Sequence, residues 1–136
     1  VARPPLKLEV VSASRRVWSG EAVQVIVRTV EGDMGILPGH EPVFALLVPS
    51  RVQIVTADGR QEALYVDEGF ISCADGRVSI LTQTASLGDE ISTAEAQKEL
   101  DELMLKYQAG EQSDAERHRI HMLKAQLAAA EQYASK

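Results

Sequence analysis

The chain has one cysteine, Cys73, among 136 residues. A lone thiol cannot form an internal disulfide, so a reducing compartment is expected. No apolar run approaches the ~20 residues that a membrane-spanning helix needs. No charged-then-apolar signal segment opens the sequence. Contact with a membrane is therefore expected to run through a protein partner, without direct insertion. Basic residues are also few, 14 against 20 acidic, for a net charge of -6. That balance argues against a nucleic-acid footprint, which requires clustered Lys and Arg.

What is present is ordinary globular material, 45% hydrophobic and 25% charged. Two regimes meet near Gly88. Before it the apolar pattern has period two, and after it a period near 3.6. Leu6, Leu8 and Val10 alternate with Lys7 and Glu9, as in a half-buried strand. Arg15 and Arg16 interrupt that strand, and Trp18-Ser19-Gly20 reads as a bend. Val23, Val25, Ile26 and Val27 give a strong strand signal. A glycine-rich loop is predicted from Glu31 to Glu41. A short apolar run follows, Val43–Val48, closed by Pro49.

Asp58-Gly59 and Asp75-Gly76 each separate two strand-like segments. Asp-Gly suits a type I′ hairpin turn, in which both central residues have positive φ. The spacing predicts an antiparallel β-sandwich or barrel. Beyond Gly88, Ser92-Thr93-Ala94-Glu95 and Ser113-Asp114-Ala115-Glu116 each read as a capping box opening a helix. Ala96, Leu100, Leu103 and Tyr107 fall on one side of the first helix. Ile120, Leu123, Leu127 and Ala130 do so on the second. Gly110 ends the first helix, so the pair forms an antiparallel hairpin. The division is thus a β domain over residues 1–88 and a helical hairpin over 89–136. The tail is the more acidic part, with 10 acidic and 6 basic residues against 10 and 8 in the first. Each helix offers only a few large apolar contacts, so the hairpin must lean on the β domain, a partner, or both.

Chemistry-bearing residues are sparse. His118, His121 and Glu116 share the second helix, but their spacing reads as a solvated face rather than a metal site. Asp67 and Glu68 are adjacent, so in a strand they would point to opposite faces. His40 lies beside Glu41, with no nucleophile suggested by spacing. Cys73 sits in an apolar strand and reads as packed. The segment Gly32-Asp33-Met34-Gly35-Ile36-Leu37-Pro38-Gly39-His40 lacks the Gly-Lys-Ser/Thr of a phosphate-binding loop. It presents Met34, Ile36 and Leu37 either to a partner or to the core. From the residues alone this is a β domain plus helical hairpin that binds protein. A free-standing adaptor, and a small enzyme using His40, are the other readings.

The string GDMGILPGHEP, Gly32–Pro42, resembles the signature of the ATP synthase epsilon subunit family. Val10–Val27 and Glu68–Ala85 also look like that family, and Trp-Ser-Gly-Glu-Ala hints at an actinobacterial member. The resemblance implies a ten-stranded antiparallel β-sandwich followed by a two-helix hairpin. It implies a rotor-stalk subunit that is not itself catalytic, at the cytoplasmic face of the cell membrane. Its partners would be the gamma subunit and the c-ring, with the helices reaching alpha and beta to restrain ATP hydrolysis. The segment from Gly32 to His40 would face the ring, with Asp33 in the family's acidic position. Some relatives bind ATP through Ile/Leu-Asp-x-x-Arg-Ala on the first helix. Here Ser92 and Glu95 stand where that motif has Asp and Arg. Only Arg117 and Lys124 remain as nucleotide-contacting candidates, so no cofactor is expected and ATP binding should be weak or absent.

Overall fold

The computed structural model describes residues 3–110 and 113–134. Nine strands come first: β1 (Leu6–Ser12), β2 (Arg16–Thr29), β3 (Gly32–Ile36), β4 (Val43–Leu47), β5 (Ser50–Thr56), β6 (Gln61–Val66), β7 (Gly69–Ala74), β8 (Arg77–Thr82) and β9 (Ala85–Leu87). A 3-10 turn at Gly88–Glu90 leads to α1 (Thr93–Gln108) and α2 (Asp114–Ala134). The class is the expected one, a mainly β unit with a helical appendage. The described residues hold nine strands rather than ten.

β2 organises the sheets. Its first half pairs with β1, Leu6 opposite Ala22 and Val10 opposite Trp18. Its second half pairs with β3 on one side and β5 on the other. The register shifts between Ala22 and Gln24. An irregularity of this kind bends a strand and lets it change neighbours. Trp18-Ser19-Gly20 therefore lies inside a continuous strand, not in a bend. The remaining ladder runs β1-β8-β7-β4 in one direction and β5-β6-β9 in the other. The β1–β8 pairing is parallel, an exception to the expected antiparallel sandwich. Alternation along a strand reports which face is buried but carries no strand direction, so the parallel pair left no mark in the pattern.

Both Asp-Gly hairpins form, with different turns. Asp75 and Gly76 have φ of 53° and 77°, as a type I′ turn requires. At the other, only Gly59 has positive φ, 89°. There the Gly59 amide donates to the Thr56 carbonyl at 3.0 Å, and the Arg60 amide donates to the Thr56 hydroxyl at 2.9 Å. Thr56 stabilises a longer turn, so the type I′ expectation does not hold at that site.

Alternate residues of both sheets fill one core, including Leu6, Leu8, Val10, Val25, Val27, Ile36, Val52, Ile54, Ile71, Val78 and Ile80. Cys73 is buried in it, and burial pushes its thiol pKa up. The hairpin has its own smaller core of Ala96, Leu100, Ile120 and Leu123, with Leu103 and Leu127 packed against it. Tyr107 does not join that stripe and is 57% exposed. Ser92 caps α1 by accepting the Glu95 amide hydrogen, a one-way cap rather than the expected box, whereas Ser113 and Glu116 form the reciprocal capping box expected at α2.

The hairpin leans on the sandwich through a third cluster. Ala125 and Ala129 of α2 close over Tyr65 of β6, with Ile91 and Met122 alongside. Alanine lets the helix approach the sheet closely. At the junction, Glu90 accepts hydrogen bonds from Arg15 at 2.7 Å and from the Leu87 amide at 2.8 Å. These bonds hold its carboxyl below the usual range. No described helix is long and apolar enough to cross a membrane.

The main core lies wholly within residues 6–85. A fragment of residues 1–88 should therefore unfold in a single cooperative thermal transition, at a lower temperature than the full chain because Tyr65 loses its cover. Circular dichroism melting checks this; a featureless melt would contradict it. Replacing Ile36, which has 0% exposure, with Ser should cost about 2–5 kcal/mol in denaturant unfolding. Leu37→Ser should stay within about 0.5 kcal/mol of the parent.

Candidate functional site

The segment Gly32–His40 is not one loop. Its first five residues are strand β3, and a tight turn follows. The His40 amide donates to the Leu37 carbonyl at 3.0 Å, and Gly39 has φ of 86°. Pro38 and Gly39 thus occupy the positions that favour them in a type II turn. This resolves the two readings of the apolar residues individually. Ile36 belongs to the core, Met34 packs half-buried against it, and Leu37 is 55% exposed at the turn. Asp33 on the outer side of β3 pairs with Arg28 at 2.8 Å. That hydrogen bond and charge lower its pKa, with a small contribution from Arg51. The His40 Nδ1 lies 2.6 Å from the Glu41 carbonyl oxygen.

A second surface escaped the sequence reading. β4 has the sequence VFALL, and its Phe44 and Leu46 are 63% and 53% exposed. They are not isolated. Leu46 lies opposite Phe70 of β7, Phe70 opposite Leu81 of β8, and Leu81 opposite Val11 of β1. The rings of Phe44 and Phe70 are 5.1 Å apart. Val30, 62% exposed in the β2–β3 turn, donates its amide to the Leu46 carbonyl at 3.0 Å. An apolar row thus crosses four strands on the outer face. Contiguous exposed apolar surface of this kind marks interaction sites. The signal was available: a strand apolar at consecutive positions has two faces to cover.

The two nucleotide candidates share one cleft, apart from the first-helix residues that match the family motif. Arg117 and Lys124 line a cleft of about 280 Å³ with Met104, Tyr107, Ile120 and His121. Arg117 is already paired with Asp114. Ser92 and Glu95 line a different cleft, with Glu90, Glu99 and Arg119. In that second cleft Arg119 holds Glu99 through two contacts of 2.5 and 2.9 Å, lowering the Glu99 pKa.

His118 departs from its predicted place on a solvated face. It reaches the β6–β7 turn, where Asp67 and Glu68 both lie at 3.2 Å from its ring nitrogens. Those two residues fall between the strands rather than within one, so strand alternation does not separate them. Among the described residues, no cluster of three or more His, Cys, Asp or Glu is arranged to hold a metal.

Known proteins resemble the chain along nearly its whole length. Residues 5–88 match the family model of the ATP synthase delta/epsilon chain β-sandwich domain. The ATP synthase epsilon chain of Cutibacterium acnes is 47% identical over 135 aligned positions, covering 93% of this chain and 92% of the relative. The epsilon chain of Streptomyces avermitilis is 46% identical over 96 positions, covering 71% and 77%. In fold, the chain superposes on a chain of the Euglena gracilis mitochondrial ATP synthase, resolved with OSCP, F1 and the c-ring. The TM-score is 0.79 at 22% identity, covering 100% of this chain and 85% of that one. The sandwich, the signature segment and the near-full-length likeness to actinobacterial relatives agree: this chain belongs to the ATP synthase epsilon chain family.

Proposed function

We propose that this chain is a non-catalytic rotor subunit of the central stalk of a proton-driven ATP synthase. It couples rotation of the c-ring to the gamma subunit at the cytoplasmic face of the cell membrane. The observation that carries the reading is the apolar row of Phe44, Leu46, Phe70 and Leu81 across the outer face of the sandwich. A rotor subunit must hold its neighbours through many turns, and a rigid sheet face with aromatic anchors suits that load. We assign this face to gamma. The turn Leu37–His40, with Leu37 exposed, is assigned to the polar loops of the ring. Asp33 is bound by Arg28, so its role is to fix the shape of β3 as much as to meet a ring cation.

The hairpin is the regulatory part of this proposal. Its apolar attachment to the sandwich is a narrow seam around one tyrosine, with His118 at the β6–β7 turn as a polar contact beside it. Elements with few large contacts open at low free energy. When open, the helices can reach along gamma toward alpha and beta and restrain hydrolysis.

Two measurements test the proposal. A Phe44→Ser, Leu46→Ser double variant should keep its thermal stability, because both side chains are exposed. It should lose about tenfold or more in affinity for a gamma–c-ring complex, as removal of a buried anchor does. Unchanged affinity in a folded variant would remove this face from the interface. ATP, titrated calorimetrically with and without Mg²⁺, should bind the full chain no more tightly than about 1 mM. The basis is that Arg117 is paired with Asp114 and that Glu95 stands in another cleft. Saturable micromolar binding would refute it.

A further inference from the structure

Among the joints between hairpin and sandwich, one is built from titratable groups. His118, near the start of α2, places Nε2 3.2 Å from the Asp67 Oδ1 and Nδ1 3.2 Å from the Glu68 Oε1. Asp67 is only 8% exposed and is fixed in place. Its Oδ1 accepts the Glu68 amide hydrogen at 2.7 Å, and its Oδ2 accepts from the Thr84 hydroxyl at 3.4 Å.

Ionised carboxylates only accept hydrogen bonds, and a neutral imidazole has one N–H and one bare nitrogen. A neutral His118 between two carboxylates would therefore set a lone pair against an anion. The arrangement is satisfied only by one more proton, most simply on the imidazole, so that both ring nitrogens face their carboxylates as N–H groups. Histidine is the side chain whose ordinary proton exchange falls between about pH 5 and 8.

Arg119, Glu99 and Tyr65, which flank the joint, keep their charge state through the same range. Arg119, the next residue on α2, is held by Glu99 of α1, and the pair raises the Arg119 pKa and lowers that of Glu99. Tyr65, at the same joint, has its hydroxyl pKa pushed further up by burial and then by Asp67. On α2 itself, Asp114 is paired with Arg117, while His121 and Lys124 line the cleft beside Met104 and Tyr107.

We propose that His118 is a proton-operated catch between the hairpin and the sandwich. Protonated, it bridges Asp67 and Glu68 and holds α2 against the β6–β7 turn. Deprotonated, it repels one of the two carboxylates and the hairpin is released more readily. The sign follows from linkage: the docked arrangement binds a proton that the undocked one need not, so acid favours docking and alkali weakens it. The catch acts on the chain itself and needs no nucleotide.

Hydrogen exchange of the full-length chain, read by mass spectrometry as protection factors, tests the catch. Protection of α2 is compared at about pH 5.5 and about pH 8, with β5 as the folding control in the same molecule. In the parent, α2 protection should fall roughly two- to fivefold at the higher pH, the effect of one half-exposed ion-pair site. His118→Gln should be low at both pH values. His118→Lys, which stays charged throughout, should be high at both. An α2 protection in the parent that does not change, or a fall of equal size in His118→Gln, would overturn the proposal. If His118→Gln also loses β5 protection, His118→Lys decides. A flat profile supports the catch, and a fall equal to the parent's sinks it.

Discussion

The structure depends on β2 serving two sheets. Its 14 residues are too long for one face of so small a sandwich. The strand pairs first with β1, then with β3 and β5, and the change of partner occurs around Ala22, which has 0% exposure. A larger side chain at that crossing would force the sheets apart, because tightly packed interiors absorb little extra volume. From this shared strand the rest follows. The first half brings β1 beside β8, and the second carries β3 and the turn at Pro38-Gly39. The β5–β6 hairpin beyond it supplies the surface on which α2 lies.

Local chemistry made much of this legible. The Asp-Gly pairs marked both hairpins, the capping boxes marked both helix starts, and the alternation of Leu6, Leu8 and Val10 named their buried faces. Where reading failed, the missing information was long-range. Asp58-Gly59 forms a different turn because Thr56 accepts from the Arg60 amide across it. Gly32–Ile36 reads as loop because two glycines weaken its strand signal, yet β2 provides a ladder for it. Ile36 and Leu37 are adjacent and chemically alike. Only the end of the strand between them decides that one is core and the other surface.

The candidate surfaces were half visible. The signature segment drew attention to the turn at Leu37–His40. The outer row was not seen, because Phe44, Phe70 and Leu81 come from three segments that only the sheet register aligns. His118 was hidden for a similar reason. Its helical spacing relates it to His121 and Glu116, but its partners belong to a turn about fifty residues earlier. Spacing within an element cannot reveal contacts made to another element.

Glu90 has a mechanical meaning beyond its bonds. It is the last residue of the short turn between sandwich and helices, and it is tied at once to its own backbone at Leu87 and to Arg15 in the β1–β2 connection. A force drawing the helices away does not peel β9 from its sheet first. It is divided between the end of β9 and a connection on the far side of the β2 crossing. In the proposed opening of the hairpin, the swivel would lie after Glu90, near Ile91 and Ser92, with the sandwich kept as one stiff block.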